Sequence, residues 1–220
     1  MIEKRFGCLI TTPLAARSLV YRIRGVFTPS QPQTGGIMIQ KYEPFDVENH
    51  YRATDEDLLA FEQDIGYSLP QEYKEFVKIA GNTFPEPECY PIRGELPDGS
   101  TYMDCYGFYG FYADSRPTKE SVLNSVFSED NARQHKRYDL YEIRDCYRGR
   151  TPDNLLPIGW SSFGDEICLM LDGQQKGSIW FWDHEDERDA SSYENCYFLA
   201  SSIGEFIKGF ESEDFFEETE

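Results

Sequence analysis

The sequence predicts an α+β fold. Three observations predict it. Residues 54–82 carry two successive helical apolar stripes, residues 155–183 carry continuous apolar runs separated by turn residues, and residues 202–210 close the pattern with a Ser-capped helix. The helices do not alternate with strands as a doubly wound parallel sheet would require. The chain has 220 residues, 40% of them hydrophobic and 15% aromatic, enough to bury one core.

Each element follows from local chemistry. Thr54 is an N-cap with Asp57 three residues on. Leu58, Phe61 and Ile65 then share a face, and Gly66 stops the helix. Pro70 suits the first turn of a second helix with Tyr73, Phe76, Val77 and Ala80 inward, ended by Gly81-Asn82. Pro85, Pro87 and Pro91 break any further helix, and LPDGS at 96–100 is a turn signal. The aromatic, glycine-spaced run TYMDCYGFYGFY at 101–112 favours a strand. Short helices are expected over 118–130, with Val122, Leu123 and Val126 inward, and over 138–147, with Leu140, Ile143 and Tyr147 on one face. Leu155–Ile158 reads as a strand. Ile167–Leu171 and Ile179–Trp182 read as a hairpin in the middle of a sheet, punctuated by Asp172-Gly173 and Gly177. Tyr197–Ala200 is a further strand. Ser202 and Glu205 form a capping box for a last helix with Ile203, Phe206, Ile207 and Phe210 inward.

The net charge of −19 is a sum of unlike parts. Residues 1–37 hold Lys4, Arg5, Arg17, Arg22 and Arg24 against Glu3, a net +4 that leaves −23 for the rest. This basic leader has no sustained period and ends in a Pro/Gln/Gly stretch that reads as disordered. It reads as a transit-like segment, a functional arm, or translated upstream sequence before a start at Met38; the third is favoured, because the acidic, patterned domain begins there. The domain is assigned to residues 38–210. Residues 211–220 form an acidic tail with six acids and no base. Such a charge disfavours a polyanion binder, which would need a local basic patch: nucleic acid is not expected as a direct ligand, and a basic protein suits the surface better.

The remaining features are mostly exclusions. No apolar run reaches the roughly 18 residues of a membrane-spanning helix. Cys8, Cys89, Cys105, Cys146, Cys168 and Cys196 include no CxxC pair, and several lie in apolar runs, so reduced cysteines in a cytoplasmic protein are the simpler reading. His50, His135 and His184 are scattered. No GxSxG elbow or phosphate-loop lysine is present, so no catalytic residue, cofactor or metal site is assigned.

Four segments, in order, resemble the SMI1/KNR4 family of the SUKH superfamily: FEQDIGYSLPQEYKEFVKIAGN (61–82), LLPIGWSSFGDEICLML (155–171), GSIWFWDHEDE (177–187) and YFLASSIGEFIKGF (197–210). The leader lies outside the resemblance, and residues 83–135 match loosely. The resemblance implies a single α+β domain, a mostly antiparallel sheet with helices packed beside it, and a non-enzymatic protein of the immunity type, which neutralises a cognate polymorphic toxin of nuclease or deaminase type by direct binding. The family's fungal branch implies the alternative of a regulatory or scaffold module with a non-toxin partner.

The candidate partner-binding residues are Trp160, Phe163, Asp165, Glu166, Trp182, Asp183, Glu185, Asp186 and Glu187. Trp160, Ser161, Ser162 and Phe163 read as a loop, in which Trp160 either covers the sheet or anchors a partner, since Trp and Tyr are frequent hot spots. Glu86, Glu88, Asp165, Glu166, Glu185, Asp186 and Glu187 read either as solvated acids or as complements to a basic toxin. Asp183-His184-Glu185 is the tempting metal or acid–base cluster. A continuing strand would put Asp183 and Glu185 on one face and His184 on the other, which argues against a shared site. The cluster is therefore read as a polar strand end and loop.

Overall fold

A computed structural model describes residues 41–45, 50–92, 99–112, 138–161, 164–185 and 192–211. The leader, the Met38 start, the 118–130 helix, residues 96–98 of the turn signal, Phe163, Asp186, Glu187 and the tail beyond Glu211 lie outside them.

The two opening helices form as their local signals dictate. Helix α1 (Asp55–Ile65) begins at a reciprocal capping box. The Asp57 N–H donates to Thr54 Oγ1 at 3.2 Å, and the Thr54 N–H donates to Asp57 Oδ2 at 2.9 Å. Gly66, at φ +76°, closes the helix by donating its N–H to the Glu62 carbonyl at 3.0 Å, a conformation that disfavours any side chain. Helix α2 (Gln71–Ala80) has Pro70 as its N-cap rather than within its first turn, so it starts without a side-chain cap. Its Tyr73, Phe76, Val77 and Ala80 are buried as the stripe predicts.

The strands are β1 (Lys41–Pro44), β2 (Thr83–Glu86), β3 (Cys89–Pro91), β4 (Tyr102–Asp104), β5 (Gly107–Phe108), β6 (Leu155–Trp160), β7 (Glu166–Met170), β8 (Ile179–Trp182) and β9 (Cys196–Ala200). Seven pair antiparallel in the order β1-β2-β5-β6-β7-β8-β9, and β3 and β4 form a separate antiparallel ribbon. This is the predicted α+β architecture. The 101–112 run, which favours strand over helix, forms two strands, β4 and β5, in different sheets. β1, β2 and β3 went unpredicted. β2 contains Pro85 and pairs with β5 only at Thr83↔Phe108, so the proline, which has no N–H to donate, lies beyond the ladder on that side.

Helix α3 (Leu140–Tyr147) and helix α4 (Ile203–Lys208) complete the described elements. Ser202 Oγ accepts the Glu205 N–H at 3.2 Å. The Glu205 carboxylate returns to the N–H of Ser201, one residue earlier than a reciprocal box requires. The core lies where α2 and α4 meet the sheet. Phe108 packs edge-on to Phe76 at 4.9 Å and to Phe206 at 6.5 Å, with Phe108 and Phe206 fully buried. Each such ring contributes about 1.5–3 kcal/mol through removal from water. Strand neighbours point to opposite faces, so Gly107 and its partner Trp160 belong to the other face, which Tyr147 of α3 partly covers through Trp182.

Candidate functional site

One end of the sheet gathers most of the described candidate residues, because the antiparallel strands turn there. A line of hydrogen bonds runs along this rim. The Cys105 N–H donates to the Glu88 carbonyl at 2.7 Å, the Tyr106 N–H to the Trp160 carbonyl at 2.9 Å, and the Ser161 N–H to the Asp165 carbonyl at 2.9 Å. The His184 N–H donates to Asp165 Oδ1 at 3.1 Å, and the Asp183 N–H to the Asn195 carbonyl at 3.0 Å. Glu86 and Glu88, exposed at the end of β2 and just beyond, and Asp104 at the end of β4 extend the same acidic edge.

Trp160 is the last residue of β6 rather than a loop residue, paired with Gly107 on one side and Glu166 on the other. It is half-buried and stacks on Tyr138 at 4.6 Å and on Tyr109 at 5.0 Å. A Cβ on Gly107 would lie 2.4 Å from the Trp160 ring, so the indole occupies the space that a side chain there would need. Tyr106, exposed beside it, was hidden in the 101–112 run. Only the break between β4 and β5 brings it to the rim.

Two candidates are not on the surface. Glu166 is completely buried in β7, where it accepts the Tyr109 hydroxyl at 2.9 Å on Oε2 and a hydrogen bond from Tyr147. It cannot belong to a solvent-facing acidic patch. Burial pushes its carboxyl well above the ordinary range, against the two tyrosine hydroxyls and the Arg150 charge, which favour the anion. Trp182 is 1% exposed, packed edge-on against Tyr147 at 5.5 Å and capped by the Arg150 guanidinium, so it is a core residue rather than an exposed anchor. No simple sequence signal marks Glu166 as buried, since its donors come from distant segments.

Asp183-His184-Glu185 does not continue the strand alternation, because β8 ends at Trp182. The chain turns instead. Asp183 Oδ1 accepts the Glu185 N–H at 2.9 Å, and His184 Nδ1 donates to Asp165 Oδ1 at 2.9 Å. Asp165, Asp183 and His184 each bring one potential ligand atom within 4.8 Å of the others. Desolvation, with the Asp183 charge adding, raises the Asp165 carboxyl above its usual value, against the His184 hydrogen bonds. Glu185 is exposed beside them. Among the described residues, five cysteines are free of disulfides, and no helix is long and apolar enough to cross a membrane.

The chain matches the SMI1/KNR4 family (SUKH-1) over residues 52–209. It belongs to that family. The match runs from just before α1 to the residue after α4 and includes every described rim residue from Glu86 to Asn195. The chain is also similar to the SPbeta prophage-derived uncharacterized protein YokK of Bacillus subtilis (strain 168), 28% identical over 173 residues, which cover 70% of this chain and 72% of that protein. SMI1/KNR4 membership agrees with the segments that carry the sequence resemblance.

Proposed function

We propose that this SMI1/KNR4 domain is a non-enzymatic immunity protein of the cytoplasm that neutralises a cognate toxin, of nuclease or deaminase type, by direct binding. The observation that carries this reading is the continuous rim, on which exposed Tyr106 and half-buried Trp160 sit among Glu86, Glu88, Asp104, Asp165, Asp183 and Glu185. An aromatic centre flanked by acids suits a basic protein surface. The rings supply contact area at low entropy cost, and the acids raise the encounter rate. Occluding a basic substrate groove would then block a nuclease sterically and electrostatically. Phe163, Asp186 and Glu187 are proposed to extend this surface, and residues 38–210 to form the folded unit.

The test is co-expression. In a host inhibited by the toxin domain encoded beside this gene, the full chain should restore growth. Undiminished inhibition, with the chain present in soluble form, would contradict the proposal.

A further inference from the structure

We propose that Asp165, Asp183 and His184 form a binding site for one divalent transition-metal ion at the ends of β7 and β8. The three residues supply an imidazole nitrogen and two carboxylate oxygens, a nitrogen–oxygen donor set suited to Zn²⁺, Mn²⁺ or Co²⁺. Their ligand atoms lie within 4.8 Å of one another. Donors about 2.0–2.2 Å from a common ion are separated by roughly 3–4 Å, so a small contraction brings all three onto one centre.

The surroundings favour occupation. Two carboxylates are held side by side, and His184 Nδ1 lies within hydrogen-bond distance of Asp165 Oδ1. A bound cation offsets the repulsion between two carboxylates so close together. Backbone donors already orient both acids, the His184 N–H on Asp165 and the Glu185 N–H on Asp183, as outer-shell bonds orient metal ligands elsewhere. Gly164, at φ +100° beside the imidazole, makes the turn that delivers Asp165 to His184. The His184–Asp165 hydrogen bond is a strand-end clamp, and the Glu185 N–H on Asp183 closes the adjacent turn; together they hold the three donors near one point.

With Nδ1 as the ligand atom, the neutral imidazole carries its one proton on Nε2, and the hydrogen bond to Asp165 gives way to bonds from both groups to the ion. Three protein ligands leave further coordination positions to water.

The experiment is a Co²⁺ titration of the chelator-stripped full chain, followed by visible absorption and calorimetry. One saturable ion per chain is expected, with ligand-field bands and no thiolate-to-cobalt charge transfer. His184→Gln and Asp183→Asn should each weaken it by on the order of tenfold or more, while circular dichroism and the thermal midpoint of the unliganded chain hold. Asp165→Asn provides a third arm should either variant lose its fold. Absence of saturable binding leaves the cluster a strand-end clamp and overturns the proposal. So does a cysteine-type spectrum that survives His184→Gln. Because the isolated chain is measured, the result does not depend on toxin neutralisation.

Discussion

The Tyr109 hydroxyl donates to Glu166 Oε2 at 2.9 Å with both side chains buried, so a potential charge is held inside the sheet's second face by phenols. Tyr147 is a second donor, and Arg150 and Asp165 act on the same carboxyl through their charges. A carboxyl whose value is raised on folding keeps its proton longer in the native state. The stability it contributes is full below the unfolded value of about 4.3 and declines as pH rises toward the folded value. Glu166→Gln has no such proton to lose and still accepts from a tyrosine. Its urea midpoint should therefore fall less than wild type between about pH 4 and pH 8, and equal or exceed it at neutral pH. An identical pH slope in both proteins would refute the assignment. Tyr109→Phe, which removes a donor from the buried group, should cost about 1–3 kcal/mol.

The Thr54 cap makes a second, local prediction. Thr54→Ala removes the acceptor for the Asp57 N–H and should lower stability by about 1 kcal/mol. Asp57→Ala should cost more, because this mostly buried carboxylate also accepts the Tyr51 hydroxyl at 2.7 Å and the Thr54 hydroxyl at 2.7 Å. Chemical denaturation gives both values, and the reverse order would be contrary to the geometry.

Two glycines should respond oppositely to alanine. A Cβ on Gly159 meets the Gly107 carbonyl oxygen at 2.6 Å, a backbone atom of the paired strand that cannot step aside. Gly159→Ala should cost about 1–3 kcal/mol. A Cβ on Gly204 meets only the end of the Glu72 side chain, which can rotate, and alanine favours helix α4. Gly204→Ala should be neutral or stabilising in thermal melts. Equal losses at both sites would contradict the packing described.

The elements most legible in the sequence were those written in local chemistry. The Thr54, Asp57 and Gly66 signals bound α1 to the residue, and Asp172-Gly173 with Gly177 located the β7–β8 hairpin because turn residues interrupt two apolar runs. β2 was not legible, since TFPE carries a proline and its partners Tyr42 and Phe108 are distant in sequence. At the site, Asp165, Asp183 and Glu185 were identified from acidity alone. Their relationship was not, because the alternation argument assumed a strand that stops at Trp182. Glu166 and Trp182 are misplaced for a different reason: residue type suggests a surface or an anchor, whereas contacts with Tyr109, Tyr147 and Arg150 from distant segments make both interior.

The most direct test of partner binding at the rim is the affinity of the toxin domain for a variant altered outside the Asp165–Asp183–His184 cluster. Glu88→Lys, Tyr106→Ala and Glu185→Lys change three exposed residues along the edge. With the fold intact by circular dichroism, the triple variant should bind on the order of a hundredfold more weakly, with slower association and a reduced salt dependence. A folded variant that binds the toxin with unchanged affinity and unchanged salt dependence would contradict the placement of the interface on this rim.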